Sequence, residues 1–197
     1  IVEKRPRILT HRDYEGFTCA HTAAQKGYLD IIHFIAEKRP SILDEVDREN
    51  RTCAHVAAEA NHTDIICYIA DKRSSLLANA DNEGHTWAHI AVENRNLDMI
   101  RCIAEIKPSI LAQKDYNNDT ILHLAVEKNV IDLQTFKYLV EEKGVVIKEE
   151  GRSAHQTIAN CALEAGNLDI VRYLIERGEV CGRNHIIELA IGFDHRE

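Results

Sequence analysis

Four histidines, His21, His55, His89 and His123, follow one another at intervals of 34 residues. Each stands three residues after a threonine: Thr18, Thr52, Thr86 and Thr120. A file of imidazoles could hold a metal. Its even spacing argues against that chemistry, because equivalent positions on packed neighbouring helices sit about 8–10 Å apart. Zinc ligands must each lie about 2 Å from one ion. No metal and no cofactor are therefore expected.

A second set could supply a nucleophile. Cys161 follows Asn160 and lies six residues from His155, and Cys, His and Asn form a known protease set. Against this, six cysteines and eleven histidines give many chance neighbours, and no obvious oxyanion hole accompanies the set. The position of Cys161 also suits the inside of a short packing helix, where a small buried thiol is the simpler reading. The chain has no GxxxxGK[ST], GxGxxG or HExxH segment. No catalytic residue is assigned, and the chain is read as a non-enzyme.

The cysteines themselves (Cys19, Cys53, Cys67, Cys102, Cys161 and Cys181) form no CxxC pair in a chain of 197 residues. They are expected to be free, partly buried thiols in a reducing compartment, which places the protein inside a cell. The distance that separates the histidines also argues against a Cys19–Cys53 disulfide, since bridged Cα atoms lie within about 7 Å.

Composition narrows the classes further. The chain is 45% hydrophobic and 28% charged, suited to a folded and soluble protein. No run approaches the roughly 18 apolar residues of a membrane span, and no targeting segment is visible from Ile1 onward. Lys plus Arg total 24 against 32 for Asp plus Glu, a net charge of −8. An acidic surface repels phosphate backbones, so nucleic acid is not expected as a partner.

What positions the Thr-His tetrads is a repeat. Asp13, Asp47, Asp81 and Asp115 precede the threonines by five residues, and Asp30, Asp64, Asp98 and Asp132 keep the same 34-residue spacing. Pro6 and Pro40 are one period apart, and Pro108 follows Pro40 by two. A fifth unit lags by three residues, with Thr157 coming 37 after Thr120. Matching Phe136-Lys137-Tyr138-Leu139 to Val171-Arg172-Tyr173-Leu174 puts two inserted residues before Phe136 and the third between Gly151 and Thr157. Ile1 to Leu9 repeats Ile35 to Leu43 at seven of nine positions. The expected division is a partial unit over 1–12, units over 13–46, 47–80, 81–114, 115–151 and 152–183, a partial or capping unit over 184–192, and a tail over 193–197. Together 1–192 form one domain.

Within a unit, Asp13-Tyr14-Glu15-Gly16 is turn chemistry, with Gly in the left-handed region. Asn50 and Asn118 replace Gly in units two and four, as the next-best residue there. Thr18 reads as the N-cap of a short helix in which Ala20, Ala23 and Ala24 are small on the packing side. Gly27, Asn61, Asn129 and Gly166 end that helix, and Arg95 in the same slot should cost about 1 kcal/mol or more. A second helix follows, with Asp30 near its positive end, and Pro40 or Pro108 stops it. Its apolar face is Ile31, Ile32, Phe34 and Ile35, echoed by Ile65, Ile66, Tyr68 and Ile69. Helices this short are marginal alone, so stability must come from stacking.

The D-x-x-G-x-T-x-x-H-x-A-A-x-x-G frame resembles the ankyrin repeat. The usual Pro after Thr is replaced by Cys19, Cys53, Trp87, Ile121 and Ile158, Asn160 replaces the unit-five His, and the unit is one residue longer than usual. The resemblance implies an all-α solenoid of helix-turn-helix units with projecting loops. It implies that each His bonds backbone groups of the adjoining loop. It also implies a non-catalytic scaffold that binds another protein along a concave face built from loop fingertips and first helices. On this chain the fingertip positions are Tyr14, Glu15, Phe17, Arg48, Glu49, Arg51, Asn82, Glu83, His85, Tyr116, Asn117 and Asp119. The exposed helix positions beside them are Gln25, Lys26, Glu59, Glu93, Asn94, Glu127 and Lys128, and Trp87 is a further anchor candidate. Aromatics flank Arg48 and Arg51, residue types enriched in binding hot spots. A monomer is expected, in cytosol or nucleus, or in a host cell if the protein is delivered by an intracellular bacterium. The alternatives are a spacer or recruiting module for a catalytic domain elsewhere, and a Cys/His-dependent enzyme.

Overall fold

The computed structural model of the chain describes residues 11–147 and 157–179. Each unit opens on an Asp-led turn. In the first, the Asp13 carboxylate accepts the backbone N–H groups of Glu15 (2.9 Å) and Phe17 (2.8 Å), and Asp47, Asp81 and Asp115 make equivalent bonds. The chain then reverses through a left-handed residue at Gly16, Asn50, Gly84 and Asn118, where φ lies between 63° and 88°.

The threonine next in line starts the inner helix of each pair. These helices are α1 (Cys19–Lys26), α3 (Cys53–Glu59), α5 (Trp87–Glu93), α7 (Ile121–Glu127) and α9 (Ile158–Glu164). Each ends at a second left-handed residue: Gly27, Asn61, Arg95, Asn129 or Gly166. Arg95 does adopt φ 55°, the strained geometry expected of it.

The outer helices are α2 (Leu29–Lys38), α4 (Thr63–Lys72), α6 (Leu97–Ile106), α8 (Leu133–Lys137) and α10 (Leu168–Glu176). The first three run into short 3-10 turns, Pro40–Asp44, Ser74–Ala78 and Pro108–Ala112. Proline therefore does more than stop the helix: with φ pre-set and no N–H to satisfy, it opens the next turn at N1.

Inner helices pack on inner helices, α1 on α3, α3 on α5, α5 on α7 and α7 on α9; outer helices pair likewise, α2 with α4, α4 with α6 and α8 with α10. One continuous apolar seam runs between the layers. Fully buried Ala20, Ala24, Ala54, Ala57, Ala88 and Ala91 allow the inner helices to approach, and Ile32, Ile35, Ile65, Ile66, Ile69, Met99, Ile100 and Ile103 fill the space behind them. The expected apolar face of α2 is only half realised. Ile32 and Ile35 are buried, whereas Ile31 and Phe34 are 44% and 41% exposed. Ile65, Met99 and Ile170, at the position of Ile31 in later units, are all buried. Ile31 and Phe34 lie on α2, the first outer helix of the described residues.

The insertion in unit four is placed as the alignment predicts. After Asn129 the loop before the next helix is two residues longer than in the other units, and Asp132 caps α8 by accepting the Thr135 N–H at 2.8 Å. Asp132 thus shares the 34-residue spacing of Asp30 without its role, because Asp30 sits inside the first turn of α2. α8 continues directly into a π-helical turn, Tyr138–Glu142. The third inserted residue and the terminal partial units fall mainly outside the described residues.

One cysteine expectation is overturned. Cys67 on α4 and Cys102 on α6 form a disulfide, with Cα atoms 6.7 Å apart. Their separation is 35 rather than 34, so the pair joins the two helices one residue out of register. Of the other described cysteines, Cys53 and Cys161 are buried and Cys19 is half-buried. The expectation of a reducing compartment rests on unbridged cysteines, and the disulfide removes that ground. No helix among the described residues is long and apolar enough to cross a membrane.

Candidate functional site: the fingertip strip

The histidine file is built into the framework. Nδ1 of His21 accepts the Thr18 N–H (3.2 Å) and lies 2.9 Å from its hydroxyl, while Nε2 lies 2.9 Å from the Arg51 carbonyl oxygen. A carbonyl only accepts, so the proton is on Nε2. His55 repeats this between Thr52 and the His85 carbonyl, 3.2 Å away. The ring nitrogens of His21 and His55 thus tie α1 and α3 to the next finger, as the resemblance implies. Burial lowers the pKa of His21 and His55 and brings that of His89 down to about 4. The Nε2 of His89 is buried without a hydrogen bond, and its ring stacks on His85 at 5.7 Å. In unit five the Thr157 hydroxyl accepts the N–H of Asn160.

Cys161 is fully buried inside α9. His155, the partner suggested by sequence, lies outside the described residues. Cys53 is likewise buried, its thiol pushed up to about 12 by desolvation.

Of the fingertip candidates, the structure separates an outer file from an inner one. Tyr14, Arg48, Asn82 and Tyr116 hold the same place in successive turns and all are exposed, Tyr14 at 93% and Tyr116 at 75%. Glu15, Glu49, Glu83 and Asn117 beside them are exposed too. The fingers are joined through the backbone, Arg48 N–H to the Glu15 carbonyl at 3.2 Å and Asn82 N–H to the Glu49 carbonyl at 3.0 Å. A cleft of about 320 Å³ between the first two fingers is lined by Tyr14, Glu15, Asp47, Arg48, Glu49 and Arg51.

The inner file, Phe17, Arg51, His85 and Asp119, corrects the sequence expectation. Phe17 and Asp119 are buried. The turn causes this: the N–H of each of these residues is drawn onto the Asp carboxylate four residues earlier, which turns the residue into the base of the finger. Arg51 is half-buried and spoken for, with Nε 2.8 Å from Asp47, Nη1 2.9 Å from Glu59 and its guanidinium 5.8 Å from the Phe17 ring centre. His85 is half-buried, 3.7 Å from an Asp115 carboxylate oxygen and 3.6 Å from one of Glu83. Trp87 is the other correction: at 0% exposure it is part of the core, at the start of α5.

Among the helix candidates, Gln25, Lys26, Glu59, Glu93 and Asn94 are exposed, and Glu127 and Lys128 are half-buried. Asn94 donates to the carbonyls of Ala58 and Glu59 in the preceding unit, and Lys128 lies 3.6 Å from Glu93.

Sequence reasoning missed a second recess. On the outer face, in the unit that carries the insertion, a cleft of about 510 Å³ is lined in part by Arg101, Glu105, Thr135, Lys137 and Tyr138. Glu105 there accepts bonds from the Tyr138 hydroxyl and from Lys143 at 2.7 Å. The three-residue lag was the available signal.

Comparison with known proteins agrees with this geometry. A family model described as ankyrin repeats (3 copies) matches residues 20–114 and again 106–185. No curated protein matches the chain. The phased turns, the Thr-His ties and the family match together show that the chain belongs to the ankyrin-repeat family.

Proposed function

We propose that this chain is a protein-recognition module that takes a protein partner along its concave face, through the outer fingertip file and the exposed ends of the inner helices. It acts as a scaffold, alone or within a larger protein, and performs no chemistry of its own. Ankyrin repeats generally mediate protein–protein interactions. What supports the reading for these residues is the outer file itself: Tyr14, Arg48, Asn82 and Tyr116 are exposed, while the Asp, Thr and His residues beneath them are consumed by the framework. Two aromatics and an arginine with apolar surface turned to water are the residue types that anchor interfaces. Arg51 drops out of the binding set because its guanidinium already serves Asp47 and Glu59.

The test is capture of partners by the intact array against a variant carrying Tyr14→Ala, Arg48→Glu and Tyr116→Ala, with Lys72→Glu on an outer helix as control. Loss of a defined captured protein in the triple variant alone supports the reading. Equal capture by all three proteins would contradict it.

A further inference from the structure

The junctions between outer helices are held by one recurring position. Phe34, Tyr68, Cys102, Tyr138 and Tyr173 occupy it in the five units, after allowance for the insertion. Tyr68 packs its ring on His33 of the preceding unit, with ring centres 4.0 Å apart. Tyr138 donates to Glu105 of the preceding unit, and Lys143 both pairs with that carboxylate and sits over the Tyr138 ring. Tyr173 repeats the clamp one junction on, donating to Glu141 at 2.7 Å under the Arg177 guanidinium. The junction between units two and three has no tyrosine. Asp71, the counterpart of Glu105, instead pairs with its neighbour Lys72 at 2.8 Å. Cys102 stands in the tyrosine's place and bonds to Cys67 across the junction.

We propose that Cys67 and Cys102 are a reversible thiol–disulfide exchange site, which takes low-molecular-weight disulfides of the glutathione type and, when oxidised, ties units two and three along their outer helices. In the forward direction the thiolate of one cysteine attacks glutathione disulfide, forming a mixed disulfide and releasing one glutathione thiolate. The thiolate of the second cysteine attacks the protein sulfur of that mixed disulfide, forming the Cys67–Cys102 bond and releasing the second glutathione. Two protein thiols are oxidised and one glutathione disulfide is reduced to two thiols. Both cysteines are part-exposed on helices that face away from the fingertips, so a small disulfide can reach them. The remaining described thiols are poorly suited to exchange, since Cys53 and Cys161 are buried and burial raises the Cys19 thiol above its usual range. The site is independent of what the fingertips bind.

The experiment equilibrates the full chain in glutathione buffers from reducing to oxidising, quenches with an alkylating reagent, maps non-reduced peptides and measures melting in parallel. The linked Cys67–Cys102 peptide should rise tenfold relative to the dithiol for each tenfold fall in [GSH]²/[GSSG]. The melting temperature should rise with the linked fraction, and Cys102→Ser should abolish that dependence. Cys67→Ser provides the same control should Cys102→Ser fail to fold, and the peptide map of the unaltered chain requires neither. The proposal is overturned by a dithiol that persists in excess glutathione disulfide, by a bond that survives excess glutathione, by a stable mixed disulfide at one cysteine, or by a redox-dependent melting shift that remains in both variants.

Discussion

The ring of Tyr116 lies against Gly84 of the preceding finger, so closely that a Cβ at Gly84 would sit 2.6 Å from ring carbons Cγ and Cδ1. One face of an aromatic that is 75% exposed is thereby backed by main chain. Gly84 also has φ 83°. Gly84→Ala should therefore both strain the turn and dislodge the ring, with a loss of about 1–3 kcal/mol in denaturant unfolding. Gly84→Asn separates the two effects, since Asn50 and Asn118 hold the same conformation in neighbouring turns. It should recover part of the stability and still weaken binding at the Tyr116 fingertip.

Arg48 and Arg51 look alike in sequence and differ in the fold. Arg51→Ala removes a partly buried guanidinium from Asp47 and Glu59 and should destabilise by about 1.5–3 kcal/mol, the range for hydrogen bonds to charged groups. Arg48→Ala should stay within about 0.5 kcal/mol of the unaltered chain, as exposed substitutions do. Urea midpoints of the two variants decide this, and equal midpoints would show the assignment of Arg51 to the framework to be mistaken.

Trp87 is a core residue. Trp87→Ala should cost about 3–5 kcal/mol by cavity formation, against a small effect from Tyr116→Ala. Thermal melts of the pair provide the comparison. A stable Trp87→Ala protein with impaired binding would restore its reading as an anchor.

Acid should loosen the stack through its histidines. Burial lowers the pKa of His21, His55 and His89 below the ordinary value near 6.5, so the unfolded chain binds more protons than the folded one as pH falls. Their contribution is complete above about pH 6.5 and is lost progressively below it, toward about 4 for His89. For that residue alone the full shift corresponds to about 3 kcal/mol. Melting temperatures should fall between pH 6.5 and 5, before most carboxylates titrate, and a flat profile across that interval would count against neutral buried imidazoles.

Much of this architecture was legible because the period exposes it. The Asp turns, the left-handed slots down to Arg95 and the Thr-His pairs all recur in phase, and the lag of unit five marks where the phase is broken. What was not legible depends on direction or diagonal distance. Tyr14 and Phe17 are both aromatic residues of one turn, yet the Asp13 carboxylate pulls the backbone of Phe17 inward and leaves Tyr14 outside. Trp87 occupies a slot where Cys and Ile stand in other units, which was the available hint of burial. Cys67 and Cys102 are one residue out of register, so aligning equivalent positions hides them from each other. The 3-10 turns after the outer helices needed the observation that Pro40 and Pro108 begin an element.

The central claim is that a protein partner docks on the fingertips, and site-specific photo-crosslinking tests it most directly. A photoreactive phenylalanine analogue placed at Tyr14 or Tyr116 should yield a protein adduct of one common size, while the same group at Lys72 or Arg172 on outer helices should yield none. Adducts from the outer positions with none from the fingertips would contradict the account.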